Sequence, residues 1–151
     1  MPLFFRNKMT ADVDGGELAY EWRPIATWRL TGSYSYLRMK LTPTADSLDT
    51  RTKASVEGSS PRHTASLRSS LDLRRNFGLD VALRYVGPLP SQAVEAYTEM
   101  DVVVSRRLPL GFEVSLAGQN LLSRHHAEFG GGSAGPIEVE RSVYGRIVRR
   151  W

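Results

Sequence analysis

A few short stretches hold residue types that could do chemistry. Ser-Arg-His-His-Ala-Glu-Phe at 123–129 sets His125, His126 and Glu128 close together, and imidazoles with a carboxylate are familiar zinc ligands. Adjacent histidines on a regular element cannot both face one ion, however, and no third His or Cys lies near at helical spacing. The set reads as solvated loop residues, not a metal site. His63, beside Arg62, reads as a polar residue at a strand start, with no partner evident in the sequence. The glycine-rich stretch at 130–136 lacks the Lys-Ser or Lys-Thr end of a phosphate loop and no helix follows it, so it reads as a loop tip. No Ser, His and carboxylate occur in a nucleophile context such as G-x-S-x-G, and Glu-Gly-Ser-Ser-Pro at 57–61 is an ordinary turn. The expectation is no catalytic residue, no metal ligand, no cofactor, and no enzyme.

Composition narrows the class of scaffold. The 151 residues are 41% hydrophobic and 24% charged, with a mean hydropathy of -0.31. No apolar run approaches the roughly 18 residues of a spanning helix. One compact unit is expected, and 13 Gly, 8 Pro, 6 Tyr and 3 Trp favour strands and turns. With no Cys, disulfides and thiolate chemistry are excluded. The net charge of +4 would suit a nucleic acid only if the bases formed a stripe. Arg23, Arg29, Arg38, Arg68 and Arg84 are instead spaced singly, and only 74–75, 106–107 and 149–150 are adjacent arginine pairs. No nucleic-acid partner is expected. The opening residues, MPLFFRNKMT, hold too short an apolar stretch for a secretory signal.

The strongest signal along the chain is period-two alternation, which sends successive side chains to opposite faces of a strand. Leu18, Tyr20 and Trp22 alternate with Glu17, Glu21 and Arg23; Trp28, Leu30, Tyr34 and Tyr36 alternate with Arg29, Thr31, Ser33 and Ser35. The same pattern runs through 64–73, 79–85, 100–106 and 112–119, blurred only by Val103, and through one final strand over 137–151. The spacing therefore predicts seven strands in an antiparallel up-and-down meander, several longer than usual. Short connections at 24–26, 74–78 and 108–111 alternate with long ones at 41–62, 87–96 and 121–136. Alternation alone suits a soluble sandwich or a membrane barrel, but short turns alternating with long loops are the habit of transmembrane barrels.

That reading sorts the arginines. A cation facing lipid at mid-bilayer costs about 2–4 kcal/mol, so Arg68 and Arg84 must face a wet interior, as their phase has it. Arg106 and Arg149 fall on the apolar phase, near the short-turn ends of their strands, where a long side chain can snorkel out. The terminal Trp151 is expected at a membrane interface, where an amphipathic ring is favoured.

From about Gly15 to Trp151 the chain resembles the carboxy-terminal end of TonB-dependent outer-membrane receptors. The resemblance is carried by GELAYEWRP with WRLTGSYSYLRMKL, by SPRHTASLRSSLDL, by GQNLLSRHHAEFG and by ERSVYGRIVRRW. Its most specific part is GQNLL followed by HAEF, then RSVYG and a terminal aromatic. Two positions depart from the family: Ser123 stands where Asp or Asn is usual, and Arg149 where an apolar residue is usual. The resemblance implies part of an outer-membrane receptor of a Gram-negative bacterium that takes up a metal chelate, typically a ferric siderophore. The implied partners are membrane lipid, the remaining barrel and plug, a TonB-type energising complex and the barrel-assembly machinery. Only about a third of such a barrel is expected over 1–151, a fragment or remnant not competent for transport alone. If the ligand is an anionic chelate, the loop residues Arg51, Lys53, Arg62, Tyr97 and Arg124 could touch it, although charged loops also solvate any surface. The alternatives are a complete eight-stranded barrel, with residues 3–11 as the eighth strand, and a soluble β-sandwich binding module.

Overall fold

The structure, a computed structural model, describes residues 7–130 and 135–149. It is all-β: β1 (Met9–Ile25), β2 (Trp28–Pro43), β3 (His63–Leu73), β4 (Phe77–Val86), β5 (Tyr97–Arg107), β6 (Phe112–Gln119), β7 (His125–Gly130), β8 (Pro136–Glu140) and β9 (Ser142–Arg149), with one short helix, α1 (Thr52–Glu57). Seven strands form one open antiparallel sheet in the order β1-β2-β3-β4-β5-β6-β9, and β7 and β8 form a separate hairpin. The expected meander is present. So is the alternation of connections: residues 26–27, 74–76 and 108–111 turn tightly, while 44–62, 87–96 and 120–141 make long excursions.

Register follows from the alternation. Leu67 pairs with Leu83, and Leu71 with Leu79; Leu83 pairs in turn with Met100, and Val81 with Val102. These residues share one face, here called outward. Ser66 opposite Arg84 and Ser70 opposite Asp80 share the other. Nothing among the described residues packs on the outward face. Leu18 is 65% exposed, Leu116 59% and Ile147 72%. A closed sandwich would have hidden Leu67 and Leu116; both are exposed, and the sheet is a single layer. Of the buried apolar side chains among the described residues, Leu41, Leu89 and Val94 lie instead at the long-loop end, beside α1 and the 87–96 connection, and Ala117 lies on the polar face of β6.

Aromatic residues bracket the outward face. Trp22, Trp28, Phe77 and Phe112 stand near the short turns, and Tyr34, Tyr36 and Tyr85 near the long loops. Along β4 the band runs from Phe77 to Tyr85, about 27 Å at 3.4 Å per residue and roughly 20 Å in height at a typical barrel tilt. Beyond Tyr36 the polarity inverts. The outward positions become Arg38 opposite Asp14 and Lys40 opposite Asp12, while Leu37, Met39 and Leu41 now occupy the other face.

Three expectations change. The long connection expected at 41–62 starts later, because β2 runs on to Pro43, and β1 reaches back to Met9, beyond the alternation read from Glu17; the inversion interrupts the apolar phase but not the ladder. For the same reason residues 9–11 belong to β1 and cannot supply an eighth strand. The final strand is also two. β8 pairs with β7, the chain breaks at Arg141, and β9 joins the sheet beside β6. A chain can leave one sheet for another while keeping extended geometry, so the alternation carries no mark of the break.

Two of the tight turns share one backbone. Leu73 and Leu108 enter with ψ of 165, Arg75 and Leu110 are left-handed at φ 63 and 62, and Phe77 and Phe112 leave with ψ of 143. A β-carbon at left-handed φ costs about 1–2 kcal/mol, and Leu110 is exposed, so no packing offsets it. Leu110→Asn is therefore expected to stabilise the refolded chain by about 1 kcal/mol. The urea midpoint measures this, and an unchanged or lower midpoint would contradict it.

Candidate functional site

The densest set of chemistry-bearing side chains lies at the long-loop end, where the β7–β8 hairpin meets β4 and β5. Glu99 and Tyr97 alternate on β5 with the outward Thr98, and Arg84 of β4 stands opposite Glu99. Glu99 is only 2% exposed. A carboxylate in such a place needs partners. Its Oε2 accepts the Leu122 backbone N–H at 3.2 Å. Its Oε1 lies 3.2 Å from His126 Nδ1, a contact that falls short of hydrogen-bond geometry. The His126 ring lies tilted against that of Tyr97, with centres 4.6 Å apart, and its Nε2 lies 3.0 Å from Glu128 Oε1. Arg84 completes the set. Its Nη2 donates to Glu128 Oε1 at 2.6 Å, and its guanidinium lies 5.4 Å from the centre of the Tyr97 ring.

A second group of bonds aims the hairpin. Asn120, left-handed at φ 53, ends β6 and turns the chain back over β5. There its N–H donates to Asp101 Oδ1 at 3.0 Å, the next N–H, of Leu121, donates to the Met100 carbonyl at 2.9 Å, and the Asn120 amide reaches the Glu140 carbonyl at 3.3 Å. These bonds explain GQNLL physically: a residue that tolerates left-handed φ, followed by two N–H groups received by β5. Gly130 at the far end of β7 gives its N–H to Gln92 Oε1 at 3.1 Å, and a β-carbon there would strike the Gln92 backbone.

The histidines divide as adjacent strand residues must. His125 points to the exposed side, 3.1 Å from Glu138, whereas the His126 side chain is 9% exposed. The solvated reading of His126 and Glu128 is thus corrected: their partners come from β4 and β5, at sequence separations that a local motif cannot reveal. Among the described residues, no three His, Cys, Asp or Glu are placed to hold a metal. His63 does have a partner, since Tyr34 Oη lies 2.7 Å from its Nδ1.

The predicted loop residues are scattered. Arg51 and Lys53 are exposed at and on α1. Arg62 borders a cleft of about 460 Å³ with Glu57, His63 and Pro90. Arg124 borders another, of about 510 Å³, with His125, Glu140 and Arg141. Tyr97 alone belongs to the buried cluster. Trp151 lies outside the described residues. Arg68 and Arg84 take the polar face as expected, Arg68 at 3.0 Å from Asp80. The cluster carried no sequence signal, because Glu99 stands among polar neighbours, with Thr98 before it and Asp101 two residues on.

Comparison with known proteins places the fold. No protein-family model and no curated protein matches the chain. Among solved structures it is similar to the ferric yersiniabactin uptake receptor FyuA from Yersinia pestis, with a TM-score of 0.62 and 18% identity over 93% of this chain and 23% of that one. At that identity the likeness establishes a receptor-like barrel fold. The chain spans about a quarter of that receptor's length.

The Glu128 carboxyl lies off the sheet, in the hairpin. Burial alone would raise its pKa, but the hydrogen bonds from Arg84 and His126 outweigh this and hold it below its ordinary value. Folding therefore favours the charged form, so its contribution is fully present above the ordinary glutamate range and is lost as pH falls through the lowered value. The protection of the β7 and β8 amides against hydrogen exchange, taken relative to the intrinsic rate at each pH, is expected to fall with acid over that window in the wild type and to lose most of that dependence in Glu128→Gln. Equal acid sensitivity in both would refute the assignment.

Proposed function

We propose that this chain is part of an outer-membrane receptor barrel of the TonB-dependent type, serving uptake of a metal chelate such as a ferric siderophore. The observation that carries the reading is the outward face: an uncovered apolar band roughly 20 Å tall, a little under the roughly 25 Å of outer-membrane barrels, edged by aromatics at both ends and turning charged beyond Tyr36. Such a surface is unfavourable in water and suited to hydrocarbon. The polarity inversion then marks where β1 and β2 leave the bilayer, and the long loops and hairpin stand outside the cell. The likeness to a ferric yersiniabactin uptake receptor supports the receptor reading. Arg51, Lys53, Arg62, Tyr97 and Arg124 remain proposed ligand contacts, and catalysis forms no part of the role.

The free edges of β1 and β9 carry backbone groups that lipid cannot satisfy. On this reading they pair with the remaining strands of a larger barrel, and a plug and an energising complex complete the receptor.

Face-specific substitution tests the membrane claim. Val81 is outward at mid-band, and its neighbour Ala82 faces Asp101 on the polar side. In chain refolded into detergent micelles, Val81→Arg is expected to cost about 2–4 kcal/mol and Ala82→Arg less than about 1. Equal costs, or recovery of the wild type as a soluble monomer unfolding cooperatively without detergent, would sink the reading. Cells making this chain alone are expected to take up ferric chelates only at background. Uptake above background would overturn its being one part of a larger barrel.

A further inference from the structure

We infer that the short-turn rim of the outward face binds anionic phospholipid headgroups, with Arg106 and Arg149 as the phosphate-contacting residues; this rests on the membrane reading above. The two arginines end matching cross-strand rows. Leu73 pairs with Phe77 and Phe77 with Arg106; the Leu108 N–H donates to the Phe112 carbonyl, and Phe112 pairs with Arg149. Each row is Leu, Phe, Arg, built on the shared turn backbone. In each, the guanidinium lies over the ring, at 4.9 Å for Arg106 on Phe77 and 5.4 Å for Arg149 on Phe112.

From Trp28 to Arg149, within the aromatic-edged band, these two are the charged residues on the outward face of β2–β6 and β9, and both fall at the same rim. The Lys and Arg ion pairs among the described residues lie elsewhere, at Lys8–Asp46, Arg23–Glu21, Arg68–Asp80 and Arg84–Glu128. A guanidinium that lies over a ring spends no N–H donor on a protein oxygen there, and its fork of donors matches phosphate oxygens. The exposed residues Arg74 and Arg75 lie in the turn itself, beyond the two rows. The leaflet on that side is thereby offered two oriented anion sites at headgroup level, where each nearby cation contributes on the order of fivefold in affinity.

Flotation with vesicles tests this, using phosphatidylcholine alone and phosphatidylcholine mixed with phosphatidylglycerol, with strand content checked by circular dichroism. Wild type is expected to bind the mixed vesicles at least about tenfold more tightly at low salt, with the gain shrinking as salt is added. Arg106→Gln with Arg149→Gln should lose most of that gain, and Arg74→Gln with Arg75→Gln should keep most of it. If the first double variant does not fold, the two single variants carry the test, each expected to lose about fivefold. An unchanged preference in Arg106→Gln/Arg149→Gln, or an equal loss in Arg74→Gln/Arg75→Gln, would overturn the assignment while leaving the membrane reading intact. Absence of binding to both kinds of vesicle would overturn both.

Discussion

A one-layer sheet with an apolar face must be covered by something other than itself. Here no strand or helix among the described residues packs on the outward face, and Leu18, Leu116 and Ile147 are more than half exposed. At roughly 25 cal/mol for each Å² of apolar surface kept from water, a band of such side chains is a large penalty for a free aqueous monomer. The remaining features of the molecule are arranged about that face. Charges in the band are confined to one rim, and the opposite face of the same strands carries serines, Arg68, Arg84 and Asp80.

The inversion beyond Tyr36 follows the same constraint. Strand pairing continues unbroken from Ile25 to Met9 along β1 apart from one irregularity near Trp22, so the backbone does not register the change of surroundings. The side chains do. Once the outward positions hold Arg38 and Lys40, Leu41 is buried toward α1, where Glu57 accepts its N–H. What passes for a conventional core among the described residues is therefore gathered mainly at the long-loop end, built by loops folding onto the extended strands.

The buried cluster belongs to that end as well. Glu99 would be costly there if left alone. The hairpin brings it His126 and the Leu122 N–H, and Arg84 and Glu128 tie β4 to β7. Burial and pairing arise together, since the 120–141 excursion that covers Glu99 also brings it the Leu122 N–H and the His126 ring. The long 120–141 excursion is held in a defined position by polar contacts more than by apolar packing, with Asn120 directing the chain at one end and Gly130 against Gln92 at the other.

Period-two alternation, read from the sequence alone, was enough to determine the strand class, the meander, which residues share a face, and the rhythm of short and long connections, because side-chain phase is a local property of extended backbone. It also placed Arg106 and Arg149 on the apolar face, although the rings of Phe77 and Phe112 that support them come from neighbouring strands. Only the tertiary structure decided the rest. Alternation is blind to which sheet a strand joins, so the break at Arg141 and the β7–β8 hairpin were hidden. It is equally blind to a change of medium along one strand, so β1 and β2 read as shorter than they are. His126 and Glu128 looked like loop residues because their partners, Glu99 and Arg84, lie on other strands, and burial by a distant segment leaves no trace in nearby sequence.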